Sequence, residues 1–353
     1  MNLRRKKFLT FWLIGYRNFR KCIKMDKFRT EVFPEKYPWK ISHDSLLLFI
    51  GSCFTQHIGS RMQDLKFRAE VNPFGVVYNP ISVKSSLEIL LKNKIFLASE
   101  LHFFNENWFS FYHHSSFSDS NQEVCLKNIN NSIRSASQHL SKSEYLFITF
   151  GTARVFERIE TGDVVSNCHK LPASAFRRKL LTVDEIVREY APLLEALISN
   201  NPIMKIIFTV SPIRHWKDGA EGNQISKSIL LLAVNQLADI HKNVYYFPSY
   251  EIMMDDLRDY RFYAEDMIHL SEVAINYLWD KFSQNIIDKE SLKVVPRILK
   301  INKALLHTPF DINSKSYLNF VEKTLAEINK LEKEYPIVDF STEKEKLSQL
   351  ANS

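Results

Sequence analysis

Leu46-Leu47-Leu48-Phe49-Ile50-Gly51-Ser52-Cys53-Phe54 is the stretch from which the rest of the chain is read. An unbroken apolar run that meets a small polar turn describes a buried strand ending abruptly, with a helix expected after it. Strands buried on both faces belong to parallel sheets, so this run calls for partners of its own kind. Tyr145–Phe150, Ile206–Val210 and Val244–Phe247 supply them, and Phe67–Val71 alternates like a half-buried strand. Helical spacing lies between the strands. Val83, Leu87 and Leu90 keep it, and Thr182–Ser199 opens with a threonine placed to cap Asp184 and Glu185. Ile225, Ile229, Leu232 and Ile240 predict one apolar helix face; Ala274, Tyr277, Leu278 and Phe282 predict another. Strands alternating with helices imply an α/β domain whose parallel sheet is covered on both faces.

Two segments break the alternation. Residues 95–143, rich in Phe, His, Ser and Asn, read as an insertion near the sheet edge. Residues 290–353 read as a helical tail whose Leu318, Val321, Leu325, Ile328 and Leu331 form a stripe. That stripe is short, which favours packing on the body over a coiled-coil partner. The expected division is a basic extension at 1–24, an α/β domain at 25–289 and the tail at 290–353.

The net charge of +7 is local. Arg4, Arg5, Lys6, Lys7, Arg17, Arg20, Lys21 and Lys24, with no acid among residues 1–24, outweigh it entirely. The body is near neutral and gives no basis for nucleic-acid binding. Three readings stand for the extension: translation starting at Met25, a basic helix on a membrane surface, or a targeting segment. Its apolar run, Phe8 to Ile14, is too short to span a bilayer. Cys22, Cys53, Cys125 and Cys168 show no paired spacing, so neither a zinc site nor a disulfide framework is expected, and a reducing cytoplasm is the default location. The 8 glycines argue against glycine-rich phosphate loops, and no cofactor is expected.

The chemistry gathers at the strand ends. Ligands of open α/β sheets bind beyond the carboxyl ends of the strands, where Ser52 falls. A helix N-terminus beside it supplies N–H groups for an oxyanion. Asp266-Met267-Ile268-His269, after the last strand, offers a base and its orienting carboxylate. Either motif alone also reads as ordinary turn structure. Cys53 is a rival nucleophile, although adjacent side chains seldom face one base.

Gly51-Ser52-Cys53-Phe54, Asn72-Pro73-Phe74-Gly75, Thr149-Phe150-Gly151-Thr152-Ala153, Asn167-Cys168-His169-Lys170 and the D-x-x-H resemble the GSCFA domain family, itself similar to the SGNH/GDSL hydrolases. Ser211-Pro212-Ile213-Arg214-His215 and Phe247-Pro248-Ser249-Tyr250-Glu251 add to the match, which runs roughly from Phe28 to Phe282 in the family's order. The resemblance implies a three-layer α/β/α, flavodoxin-like fold with a central sheet of about five strands. It implies Ser52 as nucleophile, Gly75 as an oxyanion donor, and Asp266 and His269 as the remaining triad. SGNH enzymes place an asparagine two positions after the third-block glycine. Here that position is Ala153, which has no side-chain donor. Thr152 or a residue of Asn167–Lys170 would then take the role; losing such a donor costs about 100- to 1000-fold in rate.

Other residues have double readings. Gly151, Asn167 and His169 could contact the oxyanion or substrate, or simply pack their loops. Arg214 and His215 could bind an anionic or sugar substrate, or join a salt-bridged loop with Asp218. Cys168 and His169 are adjacent rather than spaced as a chelate, so no metal is expected. Trp108, Phe109, Phe111, Tyr112, His113 and His114 could cap the cleft or form a satellite core. The expected activity is an esterase acting on a small-molecule or carbohydrate-linked O-acyl ester. The alternatives are an O-acyltransferase with the same triad and a non-catalytic binding module. No pattern sets an oligomeric state.

Overall fold

The computed structural model describes residues 30–307 and 314–352. The basic extension and Cys22 lie outside them. In chain order the strands are β1 (Leu46–Gly51), β2 (Arg68–Val71), β3 (His102–Phe104), β4 (Asn107–Phe109), β5 (Tyr145–Phe150), β6 (Arg154–Arg158), β7 (Val164–Val165), β8 (Phe176–Leu180), β9 (Lys205–Val210) and β10 (Val244–Tyr246). Five make the central sheet, in the order β10-β9-β5-β1-β2, and every pairing is parallel. The chain runs from β1 outward to β2, then returns to place β5 on the other side of β1. This reversal opens a crevice at the carboxyl ends of β1 and β5, where doubly wound folds bind ligands.

Side chains alternate across each strand, and the two cores follow from that period. Leu48, Ile50, Leu146, Ile148, Ile206 and Phe208 point to one face, against helices Pro80–Leu91, Gln122–Leu140, Val183–Asn200 and Gly219–Ile240. Leu47, Phe49, Tyr145, Phe147 and Ile207 point to the other, against helices Cys53–Asp64 and Glu272–Ile286. The three-layer expectation therefore holds.

The tail thickens the second layer. Helices Lys289–Leu305 and Lys315–Glu334 bury Val294, Ile298, Val321, Ile328 and Leu331 in the same apolar cluster as Phe49 and Phe147. The stripe thus packs on the body of the molecule.

Two expectations are corrected. The insertion does not reach residue 143, because helix Gln122–Leu140 is a sheet-covering helix that buries Cys125, Ile129, Ile133, Ala136 and Leu140. Its outward Lys127, Asn128, Asn131 and Arg134 dilute the apolar spacing. Helix Gly219–Ile240 forms, but with the opposite face inward. Ile225, Leu232 and Ile240 are 44%, 57% and 51% exposed, while Asn223, Ser226, Lys227, Leu230, Val234 and Leu237 are buried.

The excursions meet beside the main sheet. Hairpin β3–β4 and the antiparallel sheet β7-β6-β8 close over a satellite core in which the expected Phe109 and Phe111 are joined by Val165 and Phe176, whereas Trp108 and Tyr112 pack against the main core. The small sheet itself was not foreseen; Gly162, at φ +77° in its turn, is the signal the sequence holds, and Arg154–Arg158 alternates in burial but not in polarity.

Candidate active site

Gly51 ends β1 at φ +147°, a conformation that suits glycine. A Cβ there would lie 2.4 Å from the Thr149 carbonyl oxygen. The Asn72 side chain holds the turn, accepting from the Gly51 N–H (2.9 Å) and donating to Gln56 Oε1 (3.0 Å). Ser52 follows as N-cap of helix Cys53–Asp64, but its hydroxyl does not cap. Ser52 Oγ is buried with no hydrogen-bond partner among the described residues. The first N–H groups of that helix have no intrahelical acceptor, so a positive helix end lies beside an unused hydroxyl.

The second half of the site is a tight loop. Ala264 N–H donates to the His269 carbonyl (2.8 Å), and Met267 N–H donates to Ala264 (2.9 Å). Asp266 Oδ1 accepts the Ile268 and His269 N–H groups, each at 2.9 Å, and Oδ2 faces His269 Nδ1 at 2.5 Å. The imidazole first, then the two backbone donors, hold the Asp266 carboxyl down to about 2. With Nδ1 donating to the carboxylate, Nε2 is the nitrogen left to act as a base.

Ser52 and His269 line one cavity of about 590 Å³, together with Cys53, Tyr78, Asn167 and His215. The two ends of the α/β domain therefore share a rim. The hydroxyl and the imidazole are not hydrogen-bonded to each other, since Ser52 Oγ has no partner.

The expected oxyanion groups fare differently. Gly75 has φ +71°, and a Cβ there would meet His114 Cβ at 2.3 Å. Its N–H donates to Asn72 O at 2.7 Å, and Val76 rather than Gly75 lines the cavity. Gly151 N–H donates to Tyr78 O at 2.7 Å, while Gly151 O accepts from Lys227 Nζ at 2.6 Å. Thr152 Oγ1 is 2.9 Å from Ser226 Oγ, which accepts the Ala153 N–H at 2.7 Å. The third block is thus engaged in the fold and turned from the cavity. A sequence shows which residues carry donors, but not which acceptors the packed chain puts against them.

In the fourth block Asn167 lines the cavity. Its Oδ1 accepts the His169 N–H (2.9 Å), and its Nδ2 has no partner among the described residues. His169 is corrected: its ring stacks on Phe109 at 4.1 Å, Nε2 lies 3.0 Å from Ser110 O, and it does not line the cavity. Burial pushes its pKa down to about 4. Cys168 lines the cavity instead.

Arg214 and His215 both reach the cavity. Burial, then the neighbouring Lys227 charge, takes His215 down to about 4, leaving a neutral ring at neutral pH. The expected salt-bridged loop exists, but Asp218 pairs with Arg154 and Arg178, not with Arg214. Arg214 Nε is buried without a partner among the described residues.

Lys227 was missed. It is 0% exposed and donates to both Gly151 O and Ser211 O at 2.6 Å, tying the exits of β5 and β9 together. Its signal was a polar triplet, Ser226-Lys227-Ser228, in an apolar helix. Cys53 also lines the cavity, but burial pushes its thiol pKa up, which disfavours the thiolate. Among the described residues no three His, Cys, Asp or Glu side chains group as metal ligands, and no helix is long and apolar enough to cross a membrane.

Comparison with protein families matches residues 46–282 to the GSCFA family and residues 298–353 to the GSCFA domain protein, C-terminal domain. No curated protein matches the chain.

Proposed function

The chain belongs to the GSCFA family, and from that premise we propose that it hydrolyses O-acyl esters with Ser52 as nucleophile, His269 as base and Asp266 as the group that orients it. The observation that carries this reading is the shared cavity: Ser52, whose hydroxyl is buried and unpartnered at a helix N-terminus, and His269, whose imidazole a carboxylate holds, line the same space. The likeness to SGNH hydrolases belongs to the same proposal.

Ser52 Oγ attacks the ester carbonyl carbon while His269 Nε2 takes the hydroxyl proton. Asp266 stabilises the imidazolium that forms. The oxyanion is held by N–H groups at the start of helix Cys53–Asp64, with Asn167 Nδ2 as a side-chain donor. His269 returns the proton to the departing alkoxide. Water then attacks the acyl-enzyme, giving its proton to His269, and the acid leaves as Ser52 regains its hydrogen. The Ser52–His269 hydrogen bond closes when substrate enters; such contacts are commonly loose before binding.

A non-catalytic module has two observations in its favour, the open contact between Ser52 and His269 and the missing side-chain donor at Ala153. Turnover of a p-nitrophenyl acetate series separates the readings. Ser52→Ala should lower kcat/KM by about 1000-fold or more. His269→Ala should lower kcat far more than it raises KM, and Cys53→Ala should retain most activity. Equal turnover by the parent and Ser52→Ala would remove Ser52 from the mechanism.

A further inference from the structure

A second cavity, of about 460 Å³, adjoins the first. Arg214, Trp216 and Ile268 line both. Asp266 faces the second and His269 the first, so the loop carrying both forms the partition. The two spaces differ in chemistry. Both walls expose more apolar than polar surface, but Asn79, Ser166, Asn167, Ser211 and Lys217 give the first several neutral hydrogen-bonding groups and a cation. Met253, Met254, Leu257, Tyr260, Tyr263 and Met267 make the second one largely apolar.

The groove is open and greasy at its mouth. Trp216, Tyr260 and Met267 are 56%, 77% and 55% exposed, and together they rim it. Contiguous apolar surface of this kind marks a binding site. Methionines on its wall adapt to flexible chains. Met253 and Met254 stand on a π-helical turn, Ile252–Asp256, a feature frequent at functional sites. Met267 holds φ +57°, outside the usual range for its type. Charges on the wall are mostly matched: Arg258 pairs with Asp255 at 2.6 Å and Asp259 with Arg261 at 3.7 Å. Arg214 is different. It stands at the junction of the two spaces, with a buried and unpartnered Nε.

We infer that this groove seats an apolar acyl chain, with the carboxyl end at Arg214, so that the substrate is a long-chain acyl ester of a polar alcohol. The inference rests on the esterase reading for its chemistry. The alcohol lies in the first cavity among its hydrogen-bonding side chains, the scissile carbonyl lies at Ser52, and the chain passes between Trp216 and Ile268. After hydrolysis Arg214 receives the released carboxylate. Each methylene buried in the groove should tighten binding by about fourfold at most.

The test is calorimetric titration of the Ser52→Ala protein with dodecanoate and with butyrate. The expected result is dodecanoate binding at least 100-fold tighter. That advantage should fall at least tenfold in Tyr260→Asp and in Met267→Asp, whose positions are exposed and whose folding is checked by circular dichroism. Arg214→Gln should weaken dodecanoate binding as well. Equal affinity for the two acids, or dodecanoate affinity untouched by either groove variant, would overturn the inference. Because no turnover is measured, that failure is distinct from failure of the Ser52 chemistry, which acetate hydrolysis reports.

Discussion

At Gly51 any side chain would collide with the Thr149 carbonyl, and that constraint leaves Ser52 at the sheet rim with its hydroxyl unused for capping. The placement of Ser52, Asp266 and His269 was legible because it depends on residue type and on position relative to strand ends. Gly75, Gly151, Thr152 and His169 were not, because their roles depend on which acceptors the packed chain presents. His113 shows the same limit. It is 0% exposed, lies among Phe74, Phe96 and Phe117, and neither ring nitrogen has a partner among the described residues. Burial, then the His169 charge, takes its pKa from 6.5 down to about 3. Between those values the unfolded chain binds a proton that the folded chain refuses. Stability therefore falls as pH drops from 6.5 towards about 3, and is unaffected by this group above that window. His113→Phe should flatten the decline. It should also be neutral or stabilising at pH 7 by about 1–2 kcal/mol, since it removes unsatisfied buried polar atoms. Urea midpoints at pH 7 and pH 4.5 check both; an unchanged pH slope would contradict the assignment.

Among the elements, helix Val183–Asn200 is the one whose start the sequence marks most fully. The Thr182 hydroxyl accepts the Glu185 N–H at 3.2 Å, and the Glu185 carboxylate accepts the Thr182 N–H at 2.8 Å. Thr182→Ala should cost about 1 kcal/mol, read as a lower urea midpoint with an unchanged slope. A cap is local, so it can be read from neighbours in the chain. The facing of helix Gly219–Ile240 is not local. Its buried side carries Asn223 and Lys227 because those groups serve the loops beyond β5 and β9, as in the Asn223 Oδ1 bond from the His215 N–H at 2.9 Å. Counting apolar residues then selects the solvent side. The small sheet stayed hidden for a related reason: β8 carries Arg177, Arg178 and Lys179 and is exposed along part of its length.

For the whole molecule, the decisive feature is the reversal of strand order between β2 and β5. It brings Ser52, near the start of the domain, and His269, near its end, to one rim. The continuous apolar runs made the sheet legible, since a strand covered on both faces admits few polar residues. The extent of the tail's contribution was less so, because its stripe shows that it packs but not on what. It adds to the core that holds Phe49 and Phe147, under β1 and β5. The measurement that bears most directly on this account is the intact mass of the protein after exposure to a fluorophosphonate, followed by peptide mapping. A single adduct on Ser52, absent from Ser52→Ala and sharply slowed in His269→Ala, is the predicted result. An unmodified parent protein, or an adduct that persists in Ser52→Ala, would contradict it.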